Sequence, residues 1–426
     1  MQRIKLSKSA YRVWGIVYIV FFVVPMIAHL YSPEAFSLYF SEYDHIENSL
    51  YVVLFFVITA IFYKQKVYLP LIFKKIPNLY EKRLLVYLLV LLYLFSSVYF
   101  SLKYGINFRH KSNLSEEGFI PIMLFALSIL SKNYLLYLIF KKIFGFTIKA
   151  REKIVVTIII FSIIMSFNAS QDVLFIGAGL LLLFNSLNFV WKNKSINNFK
   201  NVIKDLNYKI ILTLISVLVV LGGFLNKRGF EGTVDLLKKE NISNTLLITI
   251  QRISVHYFSV IVNAEYLESD EEEKVLSGMF EKIKYRGCVL IGNDCRKTDV
   301  GSVSNLNAER INPYQVRVDA GATPGLIASV FFFPNLLIGY LFVTMYWVFL
   351  MSLFSHVLNN RFDHLSWSGA VLIAFLSLIV FFPSPVDMLN IFSKPFIGFI
   401  SFYFTCLWFI NLKKKHESIL IFNSQA

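Results

Sequence analysis

Apolar positions along this chain fall in long blocks rather than in amphipathic stripes or strand alternation. The blocks lie near 13–30, 49–63, 84–102, 118–140, 154–168, 173–191, 210–225, 335–355, 368–382 and 393–411. Runs of about 18 or more apolar residues are long enough to cross the hydrocarbon core of a bilayer as a helix. The pattern therefore predicts an all-α polytopic membrane protein with about ten transmembrane helices. Of the 426 residues, 56% are hydrophobic, against about 45–50% in soluble domains.

The formal net charge of +15 invites a nucleic-acid reading, but the placement of the charges argues for topology instead. Segments 1–12, 64–83, 141–153, 192–209, 356–367 and the C-terminal tail hold 24 Lys or Arg. The alternate short segments, 31–48, 103–117, 169–172 and 383–392, hold only Lys103, Arg109 and Lys111. Cytoplasmic loops carry such an excess, so both termini are expected on the cytoplasmic side of an inner membrane, with no nucleic-acid partner. The basic start MQRIKLSKSAYR leads into the first block with no small-residue cleavage site near IAHLYSP. It reads as an uncleaved anchor.

Three regions follow: a membrane region at 1–225 with seven spans, a large helical periplasmic loop at 226–323, and a membrane region at 324–426. The loop carries 13 basic and 14 acidic residues. A connection this long is functional or locally folded. Within it, residues 245–263 are apolar enough to suggest a span. Yet Thr245, Thr249, Arg252, His256, Ser259 and Asn263 recur at steps of four and three along one helical face. An eleventh span would also put Lys413, Lys414 and Lys415 outside, so the segment is expected as an interfacial amphipathic helix.

After the loop comes GATPGLIASVFFFPNLLIG. Pro324 can open a helix and Pro334 would break one. Either residues 324–333 form a half-helix whose N-terminus suits an anion, or one long helix kinks at Pro334.

Arginines dominate the candidate chemistry. Arg252 and His256 lie one turn apart. Arg252 can bind phosphate through its planar fork, or simply snorkel to headgroups; His256 can exchange a proton, or merely cap hydrogen bonds. Lys227 and Arg228 follow the seventh block, beside Gly229, Glu231 and Gly232, where an interfacial anchor is the plainer role. Arg310, Arg317 and Asp319 precede Pro324, and the loop would bring them toward Arg228 and Arg252 by folding back. Cys288 and Cys295 can close a small disulfide loop in an oxidising compartment, or remain free thiols. Cys406 belongs to the last block. The seven His show no HxxxH or HExxH spacing, so no metal and no cofactor is expected. Lys132 is the one obvious charge inside a block, and its SKN setting reads as a helix end.

Lys227-Arg228-Gly229 after a central span, Arg252 on a following helix and the Pro-containing lead-in GATPGLIASVFFFPNLLIG together resemble the Wzy-type O-antigen and oligosaccharide repeat-unit polymerases. The likeness is greatest to the enterobacterial common antigen polymerases, and the layout agrees over nearly the whole chain. One departure is the turn SFNASQDV, where relatives often carry an Arg and this chain has Asn168 and Gln171; Arg109 or Arg317 would have to substitute. The resemblance implies a GT-C-like fold and an inverting, metal-independent glycosyltransferase. Such an enzyme joins undecaprenyl-pyrophosphate-linked glycan donor and acceptor in lipopolysaccharide or related surface polysaccharide synthesis. It also leaves room for a chain-length regulator as partner. Arg228, Arg252, Arg317 and Arg310 would hold pyrophosphate, and Glu231, His256 and Asp319 compete as base. An O-antigen ligase shares the layout, and a lipid-linked oligosaccharide flippase or a structural membrane subunit are the rivals from other classes.

Overall fold

The computed structural model describes residues 2–31, 45–63, 65–69, 83–104, 120–143, 148–165, 242–266, 303–311, 324–333 and 335–358, with a few isolated positions besides. The expected spans at 173–191, 210–225 and 368–382, and nearly all of 393–411, lie outside these residues. Among the described residues the architecture is helical apart from one short ribbon. Three helices are long and apolar enough to cross a membrane: Ala10–Tyr31, Val86–Lys103 and Leu336–His356, with a shorter apolar helix at Ile46–Ile61. The described residues belong to two compact units.

The first unit begins with β1 (Gln2–Lys5) and α1 (Lys8–Tyr18). Ser7 caps α1 by accepting the Ala10 N–H at 2.9 Å, the usual service of a serine at this position. The helix continues through a π-helical turn, Ile19–Val23, into α2 (Val24–Tyr31). Pro25 explains the widened turn. Proline has no N–H to donate, and its ring crowds the carbonyl four residues back, so the ladder loosens ahead of it. The Val24 N–H reaches the Ile19 carbonyl instead. The 22 residues from Ala10 to Tyr31 span about 33 Å at the helical rise, close to bilayer thickness.

α3 (His45–Ile61) returns to β2 (Lys66–Leu69), which pairs antiparallel with β1 in the register Gln2↔Leu69 to Lys5↔Lys66. Two basic segments assigned to one side by charge thus sit at the same end of one helix pair. The ribbon departs from a purely helical expectation. It satisfies backbone groups that a loop would leave to solvent.

Beside the ribbon, α1, α3 and α10 (Leu336–Leu358) close on an aromatic core. Trp14 stands 5.7 Å from Trp347 and 6.2 Å from Phe55, and Tyr11 stands 5.8 Å from Trp347. Most of these pairs are edge-on, as the ring quadrupole favours. Trp14 Nε1 donates to Thr59 Oγ1 at 3.3 Å and the Tyr11 hydroxyl to the Thr59 carbonyl at 3.1 Å. The Ser7 N–H donates to Ser355 Oγ at 2.9 Å, tying the start of α1 to the last turns of α10. The opposite face of α10 exposes Leu337, Leu341 and Met345 at four-residue steps, and α1 and α2 expose Ile16, Ile27 and Leu30. Apolar rows of this size suit lipid rather than water.

The second unit contains α4 (Arg83–Tyr104), α5 (Ile120–Ile143) and α6 (Ala150–Ile164). Its core joins Val86, Val90 and Tyr93 with Leu127, Tyr134, Leu135 and Leu138 and with Val155, Ile159 and Ile163. Glu152 starts α6 by accepting the Lys149 N–H at 2.9 Å. One expectation fails here. Ser131, Lys132 and Asn133 do not end a helix; they lie in the middle of α5, buried.

Because Trp347 is fully buried among rings, truncation should leave a cavity. Trp347→Ala is expected to cost about 3–5 kcal/mol, read as a lowered thermal midpoint of the detergent-purified protein. An unchanged midpoint would mean that the three helices do not rely on this core.

Candidate functional site

The polar stripe lies on α7 (Ile242–Glu265). Helical spacing alone gives the sequence its face, and the second half of the helix is packed by its neighbours. From Ser254 to Ala264 every residue except Val255 is buried. On one side stand the first span and α3. The ring of His256 meets Phe21 edge-on at 5.7 Å, and His29 meets Phe258 at 5.9 Å. The hydroxyls of Tyr257 and Ser49 are 2.9 Å apart, and Asn48 Nδ2 donates to Glu265 Oε1.

On the polar side stands α8 (Val303–Ile311). Asn263 Nδ2 donates to Asn307 Oδ1 at 2.7 Å and to the Ser259 carbonyl at 2.6 Å. Asn307 Nδ2 donates to Ser259 Oγ at 3.0 Å, and that hydroxyl donates to the Val255 carbonyl at 2.7 Å. Arg310 donates from one terminal guanidinium nitrogen to Asn263 Oδ1 at 2.8 Å. Its cation lies 4.5 Å from the ring centre of Tyr266 and 5.7 Å from that of Phe332. All four polar residues are buried. Burying amides and a guanidinium is tolerable only when hydrogen bonds and ring faces replace water.

Phe332 ends the short helical segment foreseen after Pro324. The segment is one turn of α-helix, α9 (Gly325–Ala328), continued as a 3₁₀ turn over Ser329–Phe332 and ended by extended Phe333. The segment and α10 are thus separate helical elements on either side of extended Phe333. Gly325 has φ of 82°, a conformation that costs other residues dearly. Ser329 Oγ donates back to the Gly325 carbonyl. α10 then starts just after Asn335, whose side chain accepts the Leu337 N–H at 2.8 Å. Gly339 in its first turn touches the Val330 carbonyl so closely that a methyl group would overlap it. The anion site expected at the half-helix N-terminus loses its basis, since one α-turn supplies little of a macrodipole.

Of the candidate site residues, His256 and Arg310 are described in full. Arg252 lies on α7, 11 residues before Asn263. At 1.5 Å per residue this is about 16 Å along the axis, on nearly the same face. Arg252 thus lies about three turns along α7 from Asn263, the residue that Arg310 of α8 reaches. Arg228, Glu231, Arg317 and Asp319 lie outside the described residues, as do Arg109, Asn168, Gln171, Cys295 and Pro334. Cys288 is disulfide-bonded. Among the described residues no group of three His, Cys, Asp or Glu could hold a metal ion.

Sequence reading missed Asn307, Tyr266 and Phe332. A signal for Asn307 existed, because Val303, Asn307 and Arg310 follow one another at steps of four and three. Neither family models, nor curated proteins, nor solved structures give a match to this chain.

The tight crossing at Gly339 gives a direct test. Gly339→Ala should lower the thermal midpoint, by overpacking worth about 1–3 kcal/mol. Gly15→Ala, where a methyl group meets nothing within 4 Å, should leave it unchanged or raise it slightly through helix propensity. Equal effects would remove the close approach as an explanation.

Proposed function

We propose that this chain is an inverting, metal-independent glycosyltransferase of a bacterial inner membrane. It polymerises undecaprenyl-pyrophosphate-linked oligosaccharide repeat units at the periplasmic face, with both termini cytoplasmic. The single observation that carries the reading is the polar line of α7, which sets Arg252 one turn from His256 on a helix packed among apolar helices. A histidine buried in such a place is costly, and in membrane proteins ionisable residues of this kind mark sites more often than surfaces. The resemblance of Lys227-Arg228-Gly229 and the Pro324 lead-in to the Wzy-type polymerases supplies the reaction class. The oxidised Cys288 supports an extracytoplasmic loop, since disulfides persist in oxidising compartments.

The chemistry needs two things. Cations must stabilise the pyrophosphate that leaves with its lipid, and a base must take the proton of the attacking sugar hydroxyl. Arg252, with Arg228 and Arg317, is assigned the first task. Glu231, His256 and Asp319 are the candidates for the second.

The test is a deletion strain complemented with Arg252→Ala, its surface polysaccharide resolved on a gel. Insertion should be normal, the polymer ladder lost, and a single capped repeat retained. A normal ladder would take Arg252 out of the site. Loss of every form, single repeats included, would favour a ligase or a flippase.

A further inference from the structure

We infer that Asn263, Asn307 and Arg310 form a latch that fixes α8 and the half-helix against α7, and that Arg310 is a positioning residue rather than a ligand of substrate phosphate. The second half of this inference rests on the function proposed above; the first does not.

α8 has nine residues, too few to hold a helix without tertiary contacts. Its buried face presents Val303, Asn307, Ala308, Arg310 and Ile311. Asn263 is the hub. Both hydrogens of its amide nitrogen are given, one to the Ser259 carbonyl and one to Asn307, while its oxygen accepts from Arg310. The amide therefore has one workable orientation, and so does its partner: Asn307 accepts from Asn263 and donates to Ser259 Oγ. A slip of α8 by one residue would bring Leu306 or Ala308 to this level and leave buried amides unpaired, a penalty larger than the gain from any one bond. The register of α8 on α7 is thus specified by polar contacts.

Arg310 extends the same lock to the half-helix. Its guanidinium bonds to α7 through Asn263, lies over Tyr266 just beyond α7, and approaches Phe332 at the end of the 3₁₀ turn. It touches three segments at once. Cation–ring contacts strengthen when they are shielded from water, as here. Arg252 and His256 occupy the same face of α7, about three and two turns before Asn263. Whatever fixes the rotation and height of α7 fixes where that line is presented. Arg310 reaches that line at Asn263, its far end, so it acts on the site through the helix.

The experiment uses full-length protein in nanodiscs, with thermal midpoint and steady-state turnover of a lipid-linked repeat unit measured on the same samples. Asn263→Ala and Asn307→Ala should each lower the midpoint by several degrees. The double variant should fall little further than the worse single, since partners in one network are not additive. Arg310→Gln retains a donor for Asn263; it should lower kcat about tenfold with KM within about twofold, the pattern of lost positioning rather than lost binding. Additive midpoints would overturn the latch. A KM raised about tenfold at unchanged kcat in Arg310→Gln would make Arg310 a substrate ligand and overturn its positioning role. Should Asn307→Ala not accumulate, Ser259→Ala removes only the hydroxyl that Asn307 reaches and completes the cycle with Asn263→Ala. A wild-type protein without glycosyl transfer would defeat the proposed function and the positioning role together, while the midpoints still decide the latch.

Discussion

The amide of Asn263 facing the amide of Asn307 is the contact on which the first unit depends. α7 carries a polar line into an apolar bundle, and a single helix cannot satisfy such a line. The first span and α3 offer it aromatic rings and a few hydroxyls; α8 offers a complementary face. With α8 in place, Ser259 and Asn263 lose water without losing partners, and Arg310 is carried into the same seam. Without it, burial of the line would cost more than the neighbouring apolar contacts return. That is why a short, otherwise weak helix from a long loop belongs to the packed interior.

A second constraint shapes the region after the loop. Irregular backbone is buried only where its polar groups find partners. Every residue from Pro324 to Phe332 is buried, and the turn between the half-helix and α10 is closed by the Asn335 cap and by Gly339 under the Val330 carbonyl. Tyr340 donates to the Tyr51 carbonyl at 3.2 Å, and Phe331 packs edge-on against Tyr51 at 5.1 Å. The broken helix is thereby held to α3 from both sides of the break. Pro324, which reads as punctuation in the sequence, opens the buried segment in the structure.

What the sequence discloses, and what it hides, follows from the range of the forces involved. Helices at Ala10–Tyr31, Val86–Lys103 and Leu336–His356 were legible because block length and apolarity are local properties. The stripe on α7 was legible for the same reason. Its covering was not, because Asn307 is 44 residues from Asn263 and nothing local in either segment names the other. The ribbon was hidden likewise: QRIK and KVYL are too short to announce strands until two antiparallel helices bring them side by side. The candidate arginines show the limit most clearly. Arg252 and Arg310 look equivalent in sequence, yet they lie on different helices, α7 and α8, and Arg310 packs against the rings of Tyr266 and Phe332.

Lys132 carries the same reasoning into the second unit. Local reading made it a helix terminus, because a lysine inside an apolar block is expensive. It is instead buried at the centre of α5, flanked by buried Ser128, Ser131 and Asn133 on its own helix. The polar residues of α4 follow a matching rule: Tyr93, Ser97 and Ser101 continue the row begun by Val86 and Val90, so they belong to the helix's core face. A bundle that needed only stability would fill these positions with Leu, which packs without desolvation cost. In apolar surroundings such ionisable and hydroxylated residues carry a desolvation cost that Leu would not.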